Sequence, residues 1–136
     1  MEQTPMTRPW RQVVEHFERY VDLNPAMPGM LELARFIAAG PLAEGLFAWT
    51  SMLDLCIVQA EVYHPYDGPE LRVAPILDGR IEFRYVDTHI RQRQWCRTVA
   101  ARDAPHRLLS FLDQLRWFPA ASLRELARDR QVHRHE

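Results

Sequence analysis

Leu71-Arg72-Val73-Ala74-Pro75-Ile76-Leu77-Asp78-Gly79-Arg80-Ile81-Glu82-Phe83-Arg84-Tyr85-Val86 is the stretch that decides how this chain folds. Apolar and polar residues alternate on both sides of Asp78-Gly79, as in two strands that each keep one dry and one wet face. A two-residue turn would set Arg72, Ala74 and Ile76 beside Ile81, Phe83 and Tyr85, mixing the faces. A three-residue turn, Leu77-Asp78-Gly79 with Gly79 left-handed, instead places Leu71, Val73 and Pro75 with Ile81, Phe83 and Tyr85. The hydrophobic pattern selects this bulged turn. The opposite face then carries Arg72, Ala74, Ile76, Arg80, Glu82 and Arg84. Pro75 lacks an N–H, so its strand is expected at an edge, or with that position turned outward.

Upstream of this hairpin, Leu53 to Ala60 is a nearly continuous apolar run, as expected of a strand buried on both faces and central in a sheet. His64-Pro65-Tyr66-Asp67-Gly68-Pro69 is dense in turn residues and reads as a loop. Downstream, a further strand is expected over about Gln92 to Val99. Helical spacing of Trp10, Val13, Val14, Phe17 and Val21 predicts a helix from Thr7 to Leu23, and a second from about Gly29 to Ala39 ends at Gly40-Pro41. Leu108, Phe111, Leu112 and Leu115 mark a helix over about Ala104 to Phe118, capped by Asp103. Ser122-x-x-Glu125 has the pattern of a capping box opening a short last helix. The order predicts an α+β fold: a four-stranded antiparallel meander with an N-terminal helical hairpin and C-terminal helices packed mainly on one face. Residues 1–136 form a single domain, with 1–6 and 131–136 expected to fray.

Composition narrows the chemistry. The chain has 136 residues, 47% hydrophobic and 26% charged, enough to bury a core without disulfide or metal staples. All 17 basic residues are arginine, which removes Schiff-base, general-base and phosphate-loop lysines. Its five glycines are never spaced as G-x-G, so neither a dinucleotide fingerprint nor a glycine-rich phosphate loop is present. The net charge is −1, yet Leu46 to Leu71 has four acids and no arginine, while Arg72 to Arg107 has eight arginines against four acids. The molecule is expected to be electrically lopsided. Cys56 and Cys96 form no C-x-x-C pair, and a single disulfide between them is the alternative to two free thiols. No signal-peptide pattern and no long apolar run occurs, so a cytoplasmic location without membrane contact is expected.

Several residue sets are candidate sites. Arg72, Arg84, Arg91, Arg93, Trp95 and Arg97, read onto one outer sheet face, combine guanidinium groups with an aromatic ring as single-stranded nucleic acid or another anion would require. A solvated outer face with Glu82 and Asp87 paired to neighbouring arginines is the better explanation, because exposed antiparallel faces are normally polar. Asp54, His64, Asp87 and His89, with Asp67 nearby, bring imidazole and carboxylate to loops beside the sheet, a polar site whose spacing fits no metal motif. His133 and His135 form an H-x-H tail that reads as noise. Cys56 lies in the most apolar strand, where a thiol is inert. Asp54, between Leu53 and Leu55, calls for an arginine partner or partial exposure. With three serines and no nucleophile elbow, hydrolase chemistry is disfavoured.

Phe47, Trp49, Trp117 and Phe118 flank element ends, where they either plug the core or form an apolar contact patch. The leading expectation is therefore a non-enzymatic protein-interaction domain, self-associating as a homodimer or contacting another protein, without cofactor or metal. Nucleic-acid or anion binding through the arginines is the first alternative. A small enzyme or metalloprotein using the Asp/His loops is the second.

Overall fold

The computed structural model describes residues 3–134, with side chains described for residues 3–130. Four helices, α1 (Trp10–Arg19), α2 (Met27–Ala38), α3 (Ala104–Leu115) and α4 (Ala120–Arg134), accompany five strands. The strands are β1 (Phe47–Ser51), β2 (Asp54–Val58), β3 (Glu70–Pro75), β4 (Arg80–Val86) and β5 (Trp95–Ala100). They form one antiparallel sheet in the order β1-β2-β3-β4-β5. The fold is thus α+β with a meander, one strand larger than the four expected.

β1 is the added strand. It joins β2 through Met52 and Leu53, and Met52 takes a left-handed φ of 56°. A tight hairpin normally uses Gly, Asn or Asp there, because a Cβ is strained in that conformation. Without those residues, the connection reads as continuous chain.

The β3–β4 turn is the three-residue bulged one: Gly79 has φ 95°, Gly79 N–H donates to Ile76 O at 3.0 Å, and Ile76 N–H donates to Arg80 O at 2.8 Å. The register pairs Leu71 with Tyr85, Val73 with Phe83 and Pro75 with Ile81. Leu71, Val73, Ile81, Phe83 and Tyr85, with Leu55 and Ile57 of β2 and Val99 of β5, join Val13, Phe17, Met30, Ile37, Leu108 and Phe111 in one core. α1, α2 and α3 therefore lie against the same face, and α4 packs on α3. Ile81 and Phe83 are fully buried and Tyr85 nearly so, while Arg80 and Arg84 are exposed. Pro75 lies in a central strand but past the last β2–β3 pair, so its missing N–H forfeits no bond to β2.

Helix ends differ from expectation by a few residues. α1 starts after Pro9 and stops at Arg19, and Arg116, left-handed at φ 63°, ends α3 before Phe118. Asp103 makes no side-chain cap bond. α4 begins at Ala120, where Pro119 O accepts from Leu123 N–H, so Ser122 lies inside the helix rather than capping it. At the N-terminus, Pro5 bridges Tyr63 and Met6 N–H donates to Val62 O at 2.8 Å, so described residues expected to fray are tied to the body. The helix of the tail reaches Arg134; the His133 side chain and all of His135 lie outside what is described. Among the described residues no helix is long and apolar enough to cross a membrane.

Candidate functional site

The face of the sheet away from the helices is built of cross-strand rows. Register places Trp49, Cys56, Arg72, Arg84 and Cys96 side by side across the five strands. Arg72 and Arg84 are direct neighbours, an arrangement of like charges that destabilises a sheet unless compensated. The compensation is present: Arg72 Nε donates to Asp54 at 2.7 Å, and Arg84 donates to Glu82 at 2.9 Å. Asp54 thus has the arginine partner its position called for. Burial opposes the charge of Arg72, but the bond to Asp54 and the neighbouring negative groups outweigh it and raise its pKa. The two cysteines share this row three strands apart, about 14 Å at ordinary strand spacing, far beyond disulfide reach. Both are free. Burial pushes the Cys56 thiol up to about 12, against the pull of Arg72, so it is protonated at neutral pH.

Trp95 and Arg97 do not belong to this face. Tyr85 pairs with Trp95, Phe83 with Arg97 and Ile81 with Val99, so all three point to the helix side. Trp95 and Val99 are four apart and both need cover, which fixes the strand's parity; Arg97, between them, inherits the same side. Arg91 and Arg93 lie in a short 3-10 turn before β5 rather than in a strand. The six arginine-set residues therefore divide, Arg72 and Arg84 on one side and the others at the β5 end.

The polar loop set divides as well. His89 Nε2 lies 3.6 Å from Asp67, and the Thr88 hydroxyl donates to Asp67 O. Asp87 is buried and accepts from His89 N–H in a local turn. Exposed His64 makes no recorded side-chain bond to this group, and Asp54 lies on the outer sheet face bonded to Arg72. Among the described residues no three His, Cys, Asp or Glu side chains converge as metal ligands. Trp117 and Phe118 are half-buried against the core, and the Phe118 ring sits where a Cβ on Gly45 would come within 2.7 Å. A cavity of about 630 Å³ between α2 and α4 is lined by Phe36, Leu42, Arg102, Leu126 and Arg130, none of them a sequence candidate.

The edges of the sheet are unequal. In an antiparallel ladder, backbone groups point alternately to one neighbour and the other. The Ile76–Arg80 bond turns Arg80 toward β3, so Ile81, Phe83 and Tyr85 address β5. Val99, Arg97 and Trp95 answer them, which leaves the N–H and C=O of Cys96 and Thr98 facing outward. The same alternation carried to the other edge turns Ala48 outward, and there Arg8 N–H donates to Ala48 O at 2.8 Å. Trp10 Nε1 closes the next carbonyl, Leu46 O, at 2.9 Å.

Among the described residues no backbone partner covers the outer side of β5. Cys96, Arg97 and Thr98 are exposed, and the one bond recorded on this edge is from Arg97 Nη1 to Cys96 O at 3.0 Å. The Arg97 guanidinium also lies 5.3 Å above the Trp95 ring, and Arg107 lies 5.1 Å above Phe111. Trp95 and Phe111 are in contact, with centroids 4.9 Å apart. Beside them a recess of about 270 Å³ is lined by Arg84, Gln94, Trp95 and Cys96. Sequence reading did not isolate this edge, because an edge is defined by what fails to pair with it. Comparison with protein-family models, curated proteins and solved structures gives no significant match, so this chain is described by its own geometry.

Proposed function

We propose that this chain is a non-enzymatic protein-interaction domain that receives an extended segment of a partner along β5. The observation that carries the reading is the contrast between the edges: the start of β1 is covered by Arg8 and Trp10, while Cys96 and Thr98 hold outward donors and acceptors over an exposed strand. Strand addition uses such an edge, main-chain bonds giving affinity and flanking pockets giving specificity. The recess at Trp95 and Cys96 supplies a flanking pocket. Engagement of the candidate catalytic groups elsewhere also supports an interaction role. Asp54 is held by Arg72, Asp87 by its own turn, and the Cys56 thiol is buried and protonated.

Amide exchange on isotopically labelled protein tests this. A panel of nine-residue extended peptides covering acidic, neutral and basic sequences is expected to include members that slow exchange at Cys96 and Thr98 N–H. Thr98→Pro should abolish their binding. A panel in which no member protects either group would refute strand addition.

A second copy is the other occupant to consider, since an antiparallel edge is its own complement. Light scattering across a concentration series measures it directly, and dimers whose formation is blocked by Thr98→Pro would assign the edge to self-association. Single-stranded nucleic acid finds less support, because Arg72 and Arg84 occupy the opposite face from Trp95 and are already paired with Asp54 and Glu82.

A further inference from the structure

We infer that the segment received by β5 is acidic, with a carboxylate at every second residue. This rests on strand addition at that edge and specifies the partner's chemistry. Of the eight arginines from Arg72 to Arg107, Arg72, Arg80 and Arg84 are paired with Asp54, Asp78 and Glu82. Among the described residues, Arg91, Arg93, Arg97, Arg102 and Arg107 have no carboxylate within ion-pair distance. The uncompensated positive charge thus gathers on and around β5.

Arg97 ties that charge to the edge. Its guanidinium occupies Cys96 O, the carbonyl an added strand must use. An incoming N–H displaces it. A neutral segment would leave the exposed guanidinium to water, whereas a carboxylate on the added strand gives this charged donor a full opposite charge. Side chains of an added strand alternate between faces. Those on the helix side meet Arg97 on its Trp95 platform, with Arg93 preceding and Arg107 above Phe111. Those on the other side lie beside Cys96 and Thr98, where small or β-branched residues fit.

Charge also decides against a second copy. Isologous pairing of two β5 strands would bring two sets of Arg93, Arg97 and Arg107 together, a juxtaposition that opposes association. Within the acidic stretch Leu46 to Leu71, Asp54 is paired with Arg72 and Asp67 lies against Thr88 and His89, so these carboxylates are engaged away from the β5 edge. A single-stranded nucleic acid would meet the charge but has no row of alternating donors and acceptors to match Cys96 and Thr98.

The probes are a labelled peptide, Glu-Val-Glu-Thr-Glu-Val-Glu-Thr-Glu, the same peptide with Gln or Lys in place of Glu, and a ten-residue oligothymidylate. Anisotropy titrations are run on the full chain and on exposed Arg97→Gln, with amide exchange at Cys96 and Thr98. The Glu peptide is expected to bind about fivefold more tightly than the Gln peptide, to weaken with salt, and to protect both N–H groups. Arg97→Gln should remove most of that advantage. Equal binding and protection by the Gln or Lys peptides would overturn the acidic preference while leaving strand addition standing. A Glu advantage that survives Arg97→Gln would overturn the assignment to this edge. Tighter binding of oligothymidylate would overturn it in favour of nucleic acid, and protection by none of the peptides would overturn both readings.

Discussion

Proline placed at Arg97 and, separately, at Thr98 tests the orientation of the β5 backbone on which the site depends. Both side chains are exposed, so neither substitution removes core packing. The alternation aims Arg97 N–H at Phe83 in β4 and Thr98 N–H at solvent. Arg97→Pro deletes a ladder bond and leaves the opposing Phe83 carbonyl unpaired; losing a net bond of about 1 kcal/mol and desolvating an orphan acceptor at about 1–3 kcal/mol gives about 3 kcal/mol. Thr98→Pro deletes no internal bond, and the loss is the β-sheet preference of threonine plus some backbone fit, about 1 kcal/mol. For a chain of 136 residues, each kcal/mol moves Tm by about 3–4 °C. Arg97→Pro should therefore melt about 10 °C below the parent and Thr98→Pro about 3 °C below it. Thermal and urea unfolding followed by far-UV circular dichroism measures both. Equal losses, or a larger loss at Thr98, would show that Thr98 addresses β4, and the outward edge would be assigned to the wrong residues.

Four further outcomes follow from local structure. Met52→Gly should stabilise the fold by about 1 kcal/mol, because glycine relieves the strained left-handed Cβ at the β1–β2 turn; urea unfolding reads this, and a loss of stability would contradict the turn. Gly29→Ala should destabilise by about 1–2 kcal/mol despite a helix-propensity gain of about 1 kcal/mol, because the new Cβ would meet Ala101 Cβ at 2.7 Å. The Cys56 thiol, pushed from 9.0 to about 12, makes stability depend on alkaline pH. The folded state holds the proton more tightly than the unfolded one, so this contribution is complete below pH 9 and is lost as pH rises toward 12. Between pH 8 and pH 10 the parent should lose about 1.4 kcal/mol more than Cys56→Ala. At pH 8 a thiol reagent should label only exposed Cys96 in the folded protein.

The pattern around Asp78-Gly79 determined a good deal on its own. Sheet side chains alternate with a period of two, so one residue fewer in the turn would have set Arg72 beside Ile81, Phe83 and Tyr85, and only the bulged turn avoids that mixing of faces. The helices, the antiparallel meander and the dry face of β3 and β4 follow from the same arithmetic of burial. Asp54 was legible as needing an arginine because a carboxylate among leucines must be paired or exposed. Which arginine answers it was not legible, since Arg72 reaches Asp54 only through the register of β2 on β3.

β1 stayed hidden because Met52 bears a strain that local preferences argue against, and a tight sheet overrides them. The side taken by Arg97 was misjudged because charge suggested the wet face, whereas Trp95 and Val99 set the strand's parity by the cover they require from Tyr85, Phe111 and Ile81. Local sequence therefore determined which residues are strands and which faces are dry, through periodicity and turn chemistry. Only the tertiary structure decided that Arg8 and Trp10 cover the start of one edge while the other stays open. That openness comes from long-range pairing: whether a backbone N–H is spare depends on every other strand having found its partner.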